Sequence, residues 1–125
     1  MMSELIPDDV RKFILENIDS VAELEALLLL RRSSDQAWSI ENASKRLYVS
    51  ESTAAHVLNR LSAAGLSTRI DDLYRYQPRT RETGHLVDRL AETYDRYLIP
   101  VTNLIHEKPS RIQNFADAFR IRKDK

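Results

Sequence analysis

The chain has 125 residues, 42% hydrophobic and 30% charged, which suits one globular domain with a real core. Cysteine is absent, which excludes a disulfide framework and thiol chemistry, and two glycines with four prolines argue for helix over long loops. Formal net charge is zero but unevenly spread: nine acids against four bases in residues 1–41, three against seven in 42–81, and seven against eight in 82–125.

Pro7-Asp8-Asp9 predicts a helix start, with proline in the first turn and acids at the positive dipole end. Val10, Phe13, Ile14 and Ile18 form its apolar stripe. A second helix opens at Ser20, where Ser20 and Glu23 have capping-box spacing, and runs through Val21, Leu24 and Leu27 to Leu30. Leucines at 27, 28, 29 and 30 cover nearly every face, so the end of this helix is expected at the buried centre. That run falls far short of the ~20 apolar residues that span a bilayer. The acidic N-terminus lacks the pattern of a signal peptide. A soluble, cytoplasmic protein with no membrane partner is the expectation.

A third helix follows Trp38, capped by Ser39, with Ile40, Ala43 and Leu47 on one face. Tyr48-Val49-Ser50 breaks the pattern, and a fourth helix runs from the Ser50 cap to a glycine stop at Gly65. Leu66–Ile70 and Leu73–Gln77 then alternate around Asp71-Asp72, with Leu73 and Arg75 facing one way and Tyr74 and Tyr76 the other. Pro78 ends that pairing. The predicted fold is mainly α with a small β-hairpin wing: a winged helix-turn-helix plus C-terminal helices. Residues 1–81 form the winged unit and 82–125 a helical dimerisation or interaction segment of the same compact body.

In that segment Leu86, Leu90, Tyr94, Tyr97, Val101 and Leu104 make a heptad-like seam. Pro100 interrupts it, either kinking one helix or opening a new one. The seam has two readings: pairing with a second copy, which is favoured, or packing on the first helix of its own chain. Ser110 can cap a last amphipathic stretch whose Ile112, Phe115, Ala116 and Phe119 offer a cover for that interface or a protein docking surface.

The fourth helix carries the chemistry. At 100° per residue, Ala54, Val57, Leu58 and Leu61 fall on the core side. Ser52, Ala55, His56, Asn59 and Ala63 fall opposite, flanked by Thr53 and Arg60. Small hydrogen-bonding side chains suit a DNA groove, where Asn pairs with adenine edges and Arg with guanine. Lys45, Arg69 and Arg75 are candidate phosphate contacts. Taken singly, each of these charges is explained as a solvated surface group. Asp71 and Asp72 at the tip oppose deep minor-groove insertion, because carboxylates there would meet phosphates.

Glu82 and His85 are one turn apart but have no third ligand type nearby, so no metal site is expected. No nucleophilic triad, phosphate-cradling loop or paired-carboxylate cleft is recognisable, which argues against an enzyme and gives no cofactor.

Val21–Arg32, the helix-turn-helix Ser39–Ala64, the Gly65-Leu66 corner and the wing closed by Tyr74-Arg75-Tyr76 together resemble the bacterial winged helix-turn-helix regulators, MarR-like in the broad sense. That resemblance implies a repressor or activator that binds double-stranded DNA, usually as a homodimer. It places the recognition helix at Ser50–Ala64 and the wing at Arg69–Arg75. The alternative is a winged-helix protein-interaction module without DNA binding, which near-neutral charge also suits.

Overall fold

The computed structural model describes residues 5–108. Among them the order is α1 (Asp8–Asn17), α2 (Val21–Arg32), α3 (Ile40–Leu47), α4 (Glu51–Ala63), β1 (Ser67–Ile70), β2 (Leu73–Tyr76) and α5 (Arg81–Arg96). A further helix, α6, covers residues 98–108. The expected stretch around Ile112, Phe115 and Phe119 lies outside the described residues.

Four helices open on a hydroxyl cap. Ser20, Ser39, Ser50 and Thr80 accept from the backbone N–H groups of Glu23, Asn42, Thr53 and Thr83. The capping box at Ser20 differs from expectation in one respect. The Glu23 carboxylate reaches one residue further back and accepts from the Asp19 amide at 3.1 Å. Glu23 is also buried, with 1% of its surface exposed.

α2 is the centre of the core. Leu24, Ala26, Leu27, Leu28, Leu29 and Leu30 are all buried, and the helix packs on α3, α4 and β2. Burying each leucine stabilises the fold by roughly 1.5–3 kcal/mol. Ala54, Val57, Leu58 and Leu61 of α4 are buried, as the helical spacing predicts. On the far side α5 packs against α1, and Val87, Leu90, Val101, Leu104 and Ile105 join the same cluster.

α4 ends in a glycine corner. Gly65 has φ +78°, and the Leu66 amide reaches back five residues to the Leu61 carbonyl at 3.0 Å. A Cβ on Gly65 would meet the Arg79 guanidinium at 2.8 Å, a flexible tip that can yield, so it is the left-handed backbone that calls for glycine.

The wing pairs Ser67 with Tyr76 through Ile70 with Leu73. Its two-residue turn holds Asp71 and Asp72 at φ 52° and 65°, the backbone of a type I′ hairpin. Trp38 adds a bridge that the sequence pattern does not show. Its N–H and C=O both pair with Tyr74 at 2.8 Å. Near Pro100 the chain takes the second of the two courses open to it: α5 stops at Arg96 and α6 starts afresh with Pro100 in its first turn.

Candidate nucleic-acid interface

α3, the corner at residues 48–50 and α4 form the helix-turn-helix. The inner face of α4 is fixed by the core, so its outer face is fixed too. Ser52, His56 and Asn59 are exposed on that face, and Thr53 is partly buried beside the cap. The Ser50 hydroxyl donates to Thr53 Oγ1 at 3.1 Å, which occupies Thr53 locally.

Asn59 is held from below. Tyr74 of β2 is fully buried, and its hydroxyl donates to Asn59 Oδ1 at 2.6 Å. The wing strand therefore orients the amide, leaving the Asn59 N–H2 group to donate outward.

Arg60 requires a correction. Expected beside the reading face, its guanidinium instead lies 3.2 Å from Glu23 Oε1 and pairs with Asp19. Asp19 also takes Lys108 Nζ at 2.7 Å, and the largely buried Lys108 donates to the Ile18 carbonyl at 3.1 Å. These groups tie α4, the α1–α2 loop and α6 together. Burial pushes the Glu23 carboxyl above its ordinary range, opposed by the Asp19 amide and Arg60. The Lys108 hydrogen bond holds Asp19 below its own range. Nε and Nη2 of Arg60 are thus engaged toward α2 and the α1–α2 loop, while the side chain keeps 39% exposure.

The wing is also internally engaged. Arg69 bonds Asp72 at 2.5 Å and lies 5.7 Å from the centre of the Tyr74 ring. Asp72 holds the Arg69 guanidinium more firmly protonated. Ile70 and Leu73 flank the tip and are 65% and 42% exposed. Arg75 is exposed and has no carboxylate partner among the described residues. Lys45 is exposed and pairs along α3 with Glu41 at 3.2 Å. Among the described residues, then, Arg75 has no carboxylate partner, Lys45 is loosely held, and Arg60 and Arg69 are engaged.

The seam divides. Leu90, Val101 and Leu104 are buried in the chain's own core, so these three side chains cannot face a second copy. For them the other reading holds, packing within one chain. Leu86, Tyr94 and Tyr97 keep partial exposure. Of these, Tyr94 donates to Glu25 at 2.7 Å, and burial together with that carboxylate pushes its phenol up to about 12.

One residue was not singled out from the sequence. Tyr48 sits at the corner between α3 and α4, left-handed at φ 58° and 92% exposed. Its only sequence signal is a large aromatic where a helix stop is normally glycine or asparagine. Among the described residues no cluster of three His, Asp or Glu side chains is placed to hold a metal ion. No helix among them is long and apolar enough to cross a membrane.

No model of a protein family and no curated protein matches the chain. Solved structures do. Ligand-free NadR is 17% identical and superposes with a TM-score of 0.53, covering 98% of this chain and 89% of its own. The transcriptional regulator Tm0710 from Thermotoga maritima is 21% identical at a TM-score of 0.50, covering 98% and 88%. A MarR-family transcriptional regulator from Silicibacter pomeroyi is 20% identical at a TM-score of 0.47, covering 92% and 81%. The first two establish a shared fold, the winged helix that the sequence resemblance implies.

Proposed function

We propose that the chain is a DNA-binding transcription regulator that lays α4 in the major groove. The carrying observation is the outer face of α4. Ser52, His56 and Asn59 project from a helix whose inner face is wholly buried, and among the described residues no ion pair occupies them. Asn59, oriented by Tyr74, presents donors suited to the N7 edge of a purine. Arg75 and Lys45 supply phosphate contacts on either side. The protein acts in the cytoplasm of a bacterial cell as a homodimer reading two half-sites. Leu98 and Ile99 at the α5–α6 corner, 51% and 58% exposed, join Tyr97 in facing the second copy.

Fluorescence anisotropy at low salt with mixed genomic fragments tests the reading. Even non-specific binding is visible under those conditions, so a flat titration sinks it. Selection from a random duplex pool then gives the operator. A palindromic consensus supports the dimer, and sedimentation of Leu98→Asp tests the contact.

A second reading has one observation in its favour. The wing tip, with exposed Ile70 and Leu73 around Asp71 and Asp72, suits a protein surface better than a phosphate backbone. A protein partner captured through this tip that DNA fails to displace would favour an interaction module.

A further inference from the structure

Two helices of the reading head end with the same backbone closure. At the end of α4 the Leu66 amide reaches the Leu61 carbonyl at 3.0 Å, and at the end of α3 the Val49 amide reaches the Ser44 carbonyl at 3.1 Å. Both closures need a left-handed residue at the corner. α4 supplies Gly65 at φ +78°, whereas α3 supplies Tyr48 at φ 58° and ψ 43°. A side chain in that conformation meets its own backbone, so tyrosine there is less favourable than glycine or asparagine. Packing does not compensate, because Tyr48 is 92% exposed, the most exposed of the large hydrophobic residues among those described. Among the described residues, neither the backbone nor the core accounts for the ring.

Its position accounts for it. Tyr48 lies on the corner that joins the helix crossing a DNA backbone to the helix entering the groove. It follows exposed Lys45 and Arg46 and precedes exposed Ser50 and Ser52. We propose that Tyr48 is a sugar–phosphate anchor, its hydroxyl donating to a phosphate oxygen and its ring lying on the adjacent deoxyribose. The assignment rests on the DNA-binding reading and deepens it. It gives the corner a neutral contact that positions α4 where engaged arginines do not, and it carries no base preference.

The test uses the full chain, a fluorescein-labelled mixed-sequence duplex at low salt, and thermal melting of each variant without DNA. Tyr48→Asn suits the left-handed corner, so it melts about 3 °C higher than wild type. It binds the duplex about tenfold more weakly, as expected for losing a hydrogen bond to a charged group. Tyr48→Phe keeps the ring and loses the hydroxyl, so it falls between the two. The salt slope stays at the wild-type value, because a neutral side chain releases no counterion.

Wild-type affinity in Tyr48→Asn overturns the anchor and leaves the DNA reading standing. Weaker binding together with lower melting also overturns it, since the ring would then be holding the fold. Failure of the wild-type chain to bind any duplex overturns both.

Discussion

The proposed recognition helix, α4, and the wing draw on the same residue types and use them in opposite ways. α4 turns its one arginine, Arg60, back onto Asp19 and Glu23, and leaves Ser52, His56 and Asn59 outward and exposed. The wing keeps its charges outside but sets Arg69 against Asp72 within the hairpin. Counted along the sequence, each segment is neutral, Glu51 against Arg60 in α4 and Asp71 and Asp72 against Arg69 and Arg75 in the wing, so the positive surplus of residues 42–81 comes from Lys45, Arg46, Arg79 and Arg81. In space, only part of that surplus is available to a phosphate. Charge in a sequence is therefore an upper bound on charge at an interface. Each element can be tested for whether its arginine serves the fold or the ligand.

The largest effect is expected from Arg60→Ala. Removing the guanidinium leaves the Glu23 carboxylate buried without its cationic partner. Breaking a fully buried pair is strongly destabilising, but Arg60 is 39% exposed and partly screened, so a loss of about 2 kcal/mol is expected. Chemical denaturation reads this directly. DNA affinity per folded molecule should change less than twofold. A stable variant with lost sequence preference would return Arg60 to the reading face and erase the contrast.

Tyr74→Phe comes next. It removes the hydroxyl that orients Asn59 while keeping the buried ring and its place beside Trp38. A stability loss of about 1 kcal/mol is expected for one hydrogen bond with a buried donor. The binding readout is more informative than the melt. Discrimination among sequences should fall toward that of Asn59→Ala, with affinity for mixed DNA unchanged. If discrimination survives, the wing strand is not what sets the amide.

These two cases also show how much was legible from the sequence. The caps at Ser20, Ser39 and Ser50 and the inner face of α4 follow from local spacing, because a helix places its own side chains at fixed angles. The glycine stop follows as well. The partners of Arg60 and Asn59 did not, because Glu23 and Tyr74 are 37 and 15 residues away in sequence and no local pattern encodes such a meeting. The seam was misleading for a related reason. A heptad-like stripe specifies an apolar face but not its occupant, and Leu90, Val101 and Leu104 meet the chain's own core. Tyr48 was hidden differently: its left-handed backbone and its exposure are properties of the corner, not of the tyrosine.

A smaller effect is expected at the wing tip. Asp72→Asn removes the carboxylate that engages Arg69 and places a residue tolerant of positive φ in the type I′ turn. The fold should be unaffected. Affinity for a mixed-sequence duplex should rise about threefold, and the salt slope should steepen by roughly one phosphate contact. If both quantities stay at wild-type values, the wing is silent toward DNA and only α4 reads it.

The smallest effect lies in pH, and its sign separates the two carboxylates that hold Arg60. Burial raises Glu23 above its ordinary 4.5, so the folded state takes up a proton more readily than the unfolded chain. Its contribution to stability therefore grows as pH falls from neutrality toward 4.5, and shrinks as pH rises through the raised value. Asp19 is lowered from 3.8 by Lys108, so its contribution is present above 3.8 and is lost as pH falls below it. The two windows do not overlap. In urea denaturation, wild type should gain stability relative to Glu23→Gln between neutral pH and 4.5. Both should lose stability together below 3.8. Parallel curves across the upper window would mean that Glu23 is ionised in the fold throughout. Arg60 would then be bound to a full negative charge, and the inward commitment of α4's arginine would be firmer than its geometry alone requires.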